Sequence, residues 1–365
     1  MKKYGFLFIV LIFLFTTTSK AQLKEGFEPN EYEEILGIFA HSITDSSFSK
    51  GIPKPKTLIK ESESPTVGLE NKWYLWVNKT EKLAVFSIRG TIPNPTSWLA
   101  NFYSAMIPAQ GKMKFRTDYT FEYNFSKDPK AYVHVGWTLS TGALAESLLP
   151  KMEELTQMGY RDFIITGHSQ GGAITYLMAA MLMELNDAGA WGEKLRIKVY
   201  ASAAPKPGNL NFAYDYENRT MGGWAFNVVN AADWVPEVPF SIQTVNDFSE
   251  TNPFSDVSGF IKQQKFPKNI VFKKVYNKLD KPTKKSQQNF EKYLGEMAGK
   301  QVLKTIPEFQ APQFVESNHY SRAGTFIVLQ PDQEYKKRFP DLKEKIFQHH
   351  MLQPYYYLFK KQFFE

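Results

Sequence analysis

Apolar and polar positions alternate along this chain in two rhythms. From Tyr32 to Phe48, apolar residues recur at helical spacing. Trp73–Val77 and Leu83–Ile88 are short apolar runs joined by a polar "NKTEK", which predicts two paired strands, the second ending at "RGT" (Arg89–Thr91). Leu139 to Met158 returns to helical spacing, with Glu146, Lys151, Glu153 and Glu154 on the polar side. Phe163–Thr166 reads as a buried strand, and Gly171–Leu185, apolar nearly all round, as a buried helix. Leu195–Ala201 and Ala225–Asn230 are further strands. Strand, helix, strand, helix, strand predicts an α/β domain with a mostly parallel central sheet flanked by helices. Two stretches break the rhythm, at about 92–133 and 240–315. The second contains apolar residues at helical spacing from Ser286 to Ile306.

The first 21 residues carry a different pattern. Lys2 and Lys3 precede the apolar run Gly5–Phe15, which is short for a bilayer span, and Ser19 and Ala21 are small residues placed for cleavage. This predicts a secretory signal at 1–21 and one domain over 22–365, secreted or periplasmic. Losing Lys2, Lys3 and Lys20 lowers the formal charge from +7 to +4, too weak a surplus to suggest nucleic-acid binding. The chain has no cysteine, which excludes disulfides, a thiolate nucleophile and cysteine-held metal.

Candidate chemistry centres on "FIITGHSQGGAITY", Phe163–Tyr176, where Gly167-x-Ser169-x-Gly171 lies between a predicted strand and a predicted helix. In that context a sharp turn lifts the serine oxygen clear of the backbone and makes it a nucleophile candidate. Free amides at the helix start, Gln170 first, would face an oxyanion. His168 reads as a packing residue of the turn. A serine needs a base, and the base an orienting acid. Asp233 follows the predicted strand ending at Asn230, a suitable place for the acid; Asp215 and Asp256 are weaker rivals, since neither follows so clear a strand. His319 precedes the strand-like "TFIVL", which leaves His349 and His350 as base candidates. The two adjacent histidines have no nearby ligand set to suggest metal.

Several blocks in order resemble the class 3 lipases, the fungal triacylglycerol-lipase-like branch of the α/β-hydrolases. They are "AVFSIRGTIPNPTSWLANF", "VHVGW", "ITGHSQGGA", "VYASAAPKPGNLNFA" and "VVNAADWVPEVP". The resemblance implies an α/β-hydrolase fold and a Ser169, Asp233 and histidine triad, with His350 fitting better than His349. It implies Thr91 as a second oxyanion donor beside Gln170, lipid or other ester substrates, and no cofactor. Trp137 and Lys206 depart from the family's Phe and Arg, and the two irregular stretches are longer than the family leads one to expect. The family also places a helical lid after the Arg-Gly-Thr turn. Trp98, Leu99, Phe102 and Met106 fall within about 100° on a helical wheel, with Thr96 or Ser97 as N-cap and Pro108 as the stop. A phospholipase, a carbohydrate-ester esterase, or a binding protein that retains the fold would share these features.

Overall fold

A computed structural model describes residues 23–43, 46–252, 254 and 256–365. The expected signal segment lies outside the described residues. A seven-stranded sheet carries the fold, comprising β1 (Ile59–Glu63), β2 (Trp73–Asn78), β3 (Leu83–Ile88), β4 (Asp162–His168), β5 (Arg196–Ser202), β6 (Ala225–Asn230) and β7 (Thr325–Leu329). Its spatial order follows the order of the chain. β1, β2 and β3 pair antiparallel, and β3 through β7 are parallel. The expected mostly parallel α/β sheet is thus observed.

Two apolar layers sandwich the sheet, so its inner strands read as continuous apolar runs rather than alternating ones. On one face, Phe86, Phe163 and Ile165 pack with α3 (Val135–Gln157) and α4 (Gln170–Asp187). On the other, Val85, Ile164 and Val228 pack with α1 (Pro29–Ser42) and α7 (Leu352–Phe364). Neighbouring residues of β4 therefore enter opposite cores, as strand geometry requires.

The irregular stretches take shape around this frame. The first contains α2 (Pro95–Phe102), a strand at Met106–Pro108 and the hairpin Gln110–Arg116/Tyr119–Asn124. Here the expected helix over Trp98–Met106 is corrected. Asn94, not Thr96 or Ser97, caps it by accepting the Thr96 N–H at 2.9 Å, and Pro95 supplies a pre-set first turn. The helix stops at Phe102, because Met106 is a strand residue paired with His134. The second stretch holds α5 (Lys268–Glu291), a π-helical segment at Lys292–Met297 and α6 (Ala298–Thr305). The helical signal from Ser286 to Ile306 was therefore the end of a longer arm.

His134 is buried and His168 half-buried in this frame, and desolvation lowers the pKa of both to about 3. In the unfolded chain each takes up its proton near 6.5. Between those values the unfolded state binds more protons, so stability falls as pH drops from about 6.5 towards 3. Each histidine should contribute a loss of about 1.4 kcal/mol per pH unit well inside that window. Urea melts at successive pH values check this; stability unchanged on going from pH 7 to pH 5 would contradict it.

Candidate active site

Ser169 sits at the end of β4 and the start of α4 with φ 61° and ψ −131°, a conformation that L-residues rarely adopt. Holding it costs on the order of 1–3 kcal/mol. The flanking glycines explain how the turn closes. A Cβ on Gly167 would lie 2.3 Å from the Gly171 carbonyl, and one on Gly171 would lie 2.2 Å from the Ile88 oxygen. Both glycines are needed for close backbone approach rather than for unusual dihedral angles. The Ser169 N–H is tied to the Ser202 carbonyl at 2.9 Å, which anchors the turn to β5.

Asp233 lies past the end of β6, its side chain fully buried. Its carboxylate gains three donors: the Val235 N–H at 3.0 Å, the Tyr355 hydroxyl at 2.8 Å and His350 Nδ1 at 2.7 Å. A carboxylate in so dry a site needs such donors to remain charged. Burial, together with the neighbouring Asp233 charge, drives the Tyr355 pKa well up and keeps its proton in place. With Nδ1 donating to Asp233, the neutral form of the His350 ring has its lone pair on Nε2, the arrangement a general base requires.

The two neighbouring histidines are sorted by their partners. His349 Nδ1 meets the Tyr335 hydroxyl at 2.6 Å, and its Nε2 meets Asp341 at 2.9 Å, so both ring nitrogens are engaged away from Asp233. Asn230, the last residue of β6, helps fix the difference. Its side chain donates to the His349 carbonyl and accepts the Ala232 N–H, holding the histidine loop and the acid turn together. Asp215 is salt-bridged to Arg219 and Asp256 caps a short helix through the Gly259 N–H; neither meets a histidine.

His168 does more than pack. Its Nε2 donates to the His350 carbonyl at 2.8 Å, while Nδ1 accepts from Ser202 Oγ at 3.0 Å. Tyr32 supplies a hydroxyl to Ser202 at 2.7 Å, so one chain of hydrogen bonds runs from α1 to the histidine loop. This arrangement requires neutral His168, in agreement with its lowered pKa. It also places His350 against the residue preceding Ser169. Among the described residues the Ser169 hydroxyl and His350 Nε2 make no hydrogen bond, to each other or elsewhere. Such contacts are often open without substrate and tighten when it binds.

Thr91 and Gln170 meet through a residue that sequence reasoning passed over. Asn101 Nδ2 donates to Thr91 Oγ1 at 3.0 Å, and Asn101 Oδ1 accepts from Gln170 Nε2 at 2.9 Å and from Trp137 Nε1 at 3.1 Å. Because Thr91 Oγ1 is the acceptor, its own proton is free to donate elsewhere. The Gln170 side chain is committed to Asn101 and to the Ser97 carbonyl at 2.9 Å. The backbone N–H groups of Thr91 and Gln170 have no partner among the described residues. Asn101 was hidden because its neighbours in α2 were read for their apolar stripe. Trp137, the departure from the family's Phe, is what gives Asn101 its indole partner.

Aromatic rings cluster at the histidine loop. Trp98 of α2 lies 5.9 Å from Phe347, and Phe347 lies 5.3 Å from Trp234 and 6.0 Å from His350 between ring centroids. The Trp234 indole holds the Ile346 carbonyl at 2.7 Å. Beyond Phe347 a cleft of about 560 Å³ opens among Phe339, Leu342, Ile346 and Met351, and Ser169 does not line it.

The structure thus holds a serine on a strained strand-helix turn, with a buried carboxylate–imidazole pair whose histidine loop is fastened to the preceding residue, in an α/β sheet. Residues 85–243 match the family model of Lipase (class 3), so the resemblance carried by the sequence blocks holds over that segment. The chain is 32% identical over 105 residues to secreted mono- and diacylglycerol lipase 3 of Gibberella zeae, covering 28% of this chain and 29% of that protein. It is 38% identical over 80 residues to triacylglycerol lipase OBL1 of Ricinus communis, covering 21% of this chain and 15% of that one. The matched stretch thus spans less than a third of either relative's length. Among solved structures, lipase II from Rhizopus niveus aligns at 20% identity and TM-score 0.41 over 58% of this chain and 74% of that one.

Proposed function

We propose that the protein is an exported serine ester hydrolase of the lipase type, acting on acylglycerol ester bonds through a covalent acyl-enzyme. The observation that carries this reading is the buried Asp233–His350 pair at 2.7 Å, with the His350 backbone fastened to the residue before Ser169. In this reading Ser169 Oγ attacks the ester carbonyl while His350 Nε2 takes its proton. Asp233 holds the imidazole in the required tautomer and stabilises the imidazolium. The oxyanion forms opposite the N–H groups of Thr91 and Gln170, with the Thr91 hydroxyl as a third donor. His350 then returns the proton to the departing alcohol, and water, activated by the same histidine, releases the acid. No step needs a metal or organic cofactor. Export follows from cleavage near Ala21, and residues 22–365 act as one domain.

The test is an ester panel with the purified mature protein: emulsified triacylglycerol and diacylglycerol, phosphatidylcholine and acetylated xylan. The highest kcat/KM is expected on acylglycerols. Turnover confined to phospholipid or to the acetylated polysaccharide would overturn the substrate assignment, and turnover of none would overturn the enzyme. With α2 as a lid, activity on a short acylglycerol should rise sharply once the substrate passes from monomers to emulsion.

A further inference from the structure

We propose that α5 and the short helix before it form a docking arm for membranes bearing anionic lipids, separate from the catalytic groups. This deepens the ester-hydrolase reading and rests on it only for its purpose, because the binding itself needs none of the catalytic residues.

Three observations on the same segment support the arm. The first is charge. Val257–Glu291 carries nine lysines against Asp280 and Glu291, a surplus of seven that equals the net +7 of the whole chain. All of the chain's net positive charge is therefore concentrated in one place. Lys284 is bridged to Asp280 at 3.1 Å, whereas Lys273, Lys274, Lys278, Lys281 and Lys285 meet no carboxylate among the described residues.

The second is the division of α5 into faces. At 100° per residue, Val271, Phe272, Val275 and Leu279 fall within an arc of about 100°, and Lys273, Lys274, Lys278, Lys281, Lys284 and Lys285 occupy the other side. The apolar face has no protein partner to bury it. Val271 is 56% exposed and Leu279 67%, and Phe266, at the preceding turn, is 79% exposed. Within α5 only Gln287 and Phe290, near its end, are buried. The ring of Phe260 lies 6.2 Å from that of Phe272, so the short helix Val257–Gln263 extends the same apolar surface.

The third is where the arm is rooted. Leu294, just past α5, accepts the N–H groups of Ser104 and Ala105 at 2.8 and 3.1 Å, and Gly299 of α6 packs on Tyr103. Those residues directly follow α2, whose Phe102 is 56% exposed. A surface that takes up the arm is therefore joined, through backbone hydrogen bonds, to the helix whose Ser97 and Asn101 hold the Gln170 side chain.

An exposed apolar strip between rows of unpaired lysines matches a lipid surface with anionic headgroups. The lysines meet the phosphates, and the apolar side chains enter the boundary of the acyl chains. A nucleic acid would use the charge and leave the strip unused. No described helix is long and apolar enough to cross a membrane, so α5 would lie along the surface, spanning about 36 Å of it at 1.5 Å per residue.

The experiment is co-sedimentation of the mature, full-length protein with vesicles of phosphatidylcholine, alone or mixed with phosphatidylglycerol. Three forms are compared: wild type, a charge variant (Lys273→Glu, Lys274→Glu and Lys278→Glu together) and an apolar variant (Val271→Ser, Val275→Ser and Leu279→Ser together). Circular dichroism confirms folding, and hydrolysis of a water-soluble ester should be unchanged in both variants. Wild type should bind the mixed vesicles at least about tenfold more tightly than the neutral ones. The charge variant should lose at least about a hundredfold on mixed vesicles, from roughly fivefold per lysine removed, with the added glutamates increasing the loss. The apolar variant should keep the salt-sensitive component of binding and lose the component that survives high salt. Equal binding to both kinds of vesicle, or undiminished binding by both variants, would overturn the proposal. A concentration-dependent dimer abolished by the apolar variant would overturn it in favour of a second copy of the chain. Ser169→Ala should bind vesicles like wild type, so loss of hydrolysis and loss of docking are read separately.

Discussion

Ser169→Ala should lower kcat on a nitrophenyl ester by roughly 10⁵- to 10⁶-fold, the scale seen when the nucleophile of a serine triad is removed. His350→Ala should lose about as much, and the double variant little more, because nucleophile and base act as one unit. Residual rates above about a hundredth of wild type in Ser169→Ala would refute the assignment. A second readout comes from the backbone. Ser169 holds φ 61° in a region open to glycine, so Ser169→Gly should be inactive yet more stable than Ser169→Ala. The relief of strain, about 1–3 kcal/mol, exceeds the glycine entropy cost of roughly 0.5–1 kcal/mol. Differential scanning calorimetry should then show Ser169→Gly melting a few degrees higher. The reverse order would mean that the turn is not strained.

Asp233→Asn should reduce kcat by about 10⁴-fold while leaving KM close to wild type. The Val235 N–H takes the one amide oxygen of the new side chain, as it now takes Asp233 Oδ1 at 3.0 Å. The amide nitrogen then faces His350 Nδ1 and offers a proton where an acceptor is needed. His350 is forced into the tautomer with a proton on Nε2, and a protonated Nε2 cannot act as the base. Tyr355→Phe provides the control. It removes one of three donors to the carboxylate but not the acceptor, so it should cost about 1–2 kcal/mol of stability and far less rate than Asp233→Asn. Comparable losses in kcat from the two variants would argue that Asp233 serves packing rather than catalysis.

How much of this was legible in the sequence depends on the range of the interaction. β6 was read to the residue at Ala225–Asn230, and β3 likewise at Leu83–Ile88, because both are apolar runs bounded by turn residues. The strand, serine turn and buried helix around Ser169 are local, and so is the strand-then-acid order at Asp233. The choice between His349 and His350 was not local. It is made by Asn230 and Asp233, which hold the His349 carbonyl and the His350 ring from 119 and 117 residues away, while Tyr335 and Asp341, 14 and 8 residues before it, engage the His349 ring. Asn101 was missed for the same reason. Its partners Thr91, Gln170 and Trp137 come from a turn and two helices, and nothing in "TSWLANF" marks one asparagine for that junction. The end of α2 was misjudged because Met106 continues the helical stripe, while its backbone is claimed by pairing with His134. The arm at α5 was read only from Ser286 onward, since its first half buries nothing in the body and so gives no core-facing signal.

The chain order of the sheet bears on when the site can come into being. Thr91, Ser169 and Asp233 belong to β3, β4 and β6 and their loops, which leave the ribosome in that order. The imidazole and hydroxyl that complete the carboxylate arrive 117 and 122 residues after Asp233. At 5–20 residues per second that is a delay on the order of ten seconds, in which nucleophile and oxyanion donors exist without a base. On the proposed reading, a nascent chain could therefore not cleave an ester until its last stretch had been made.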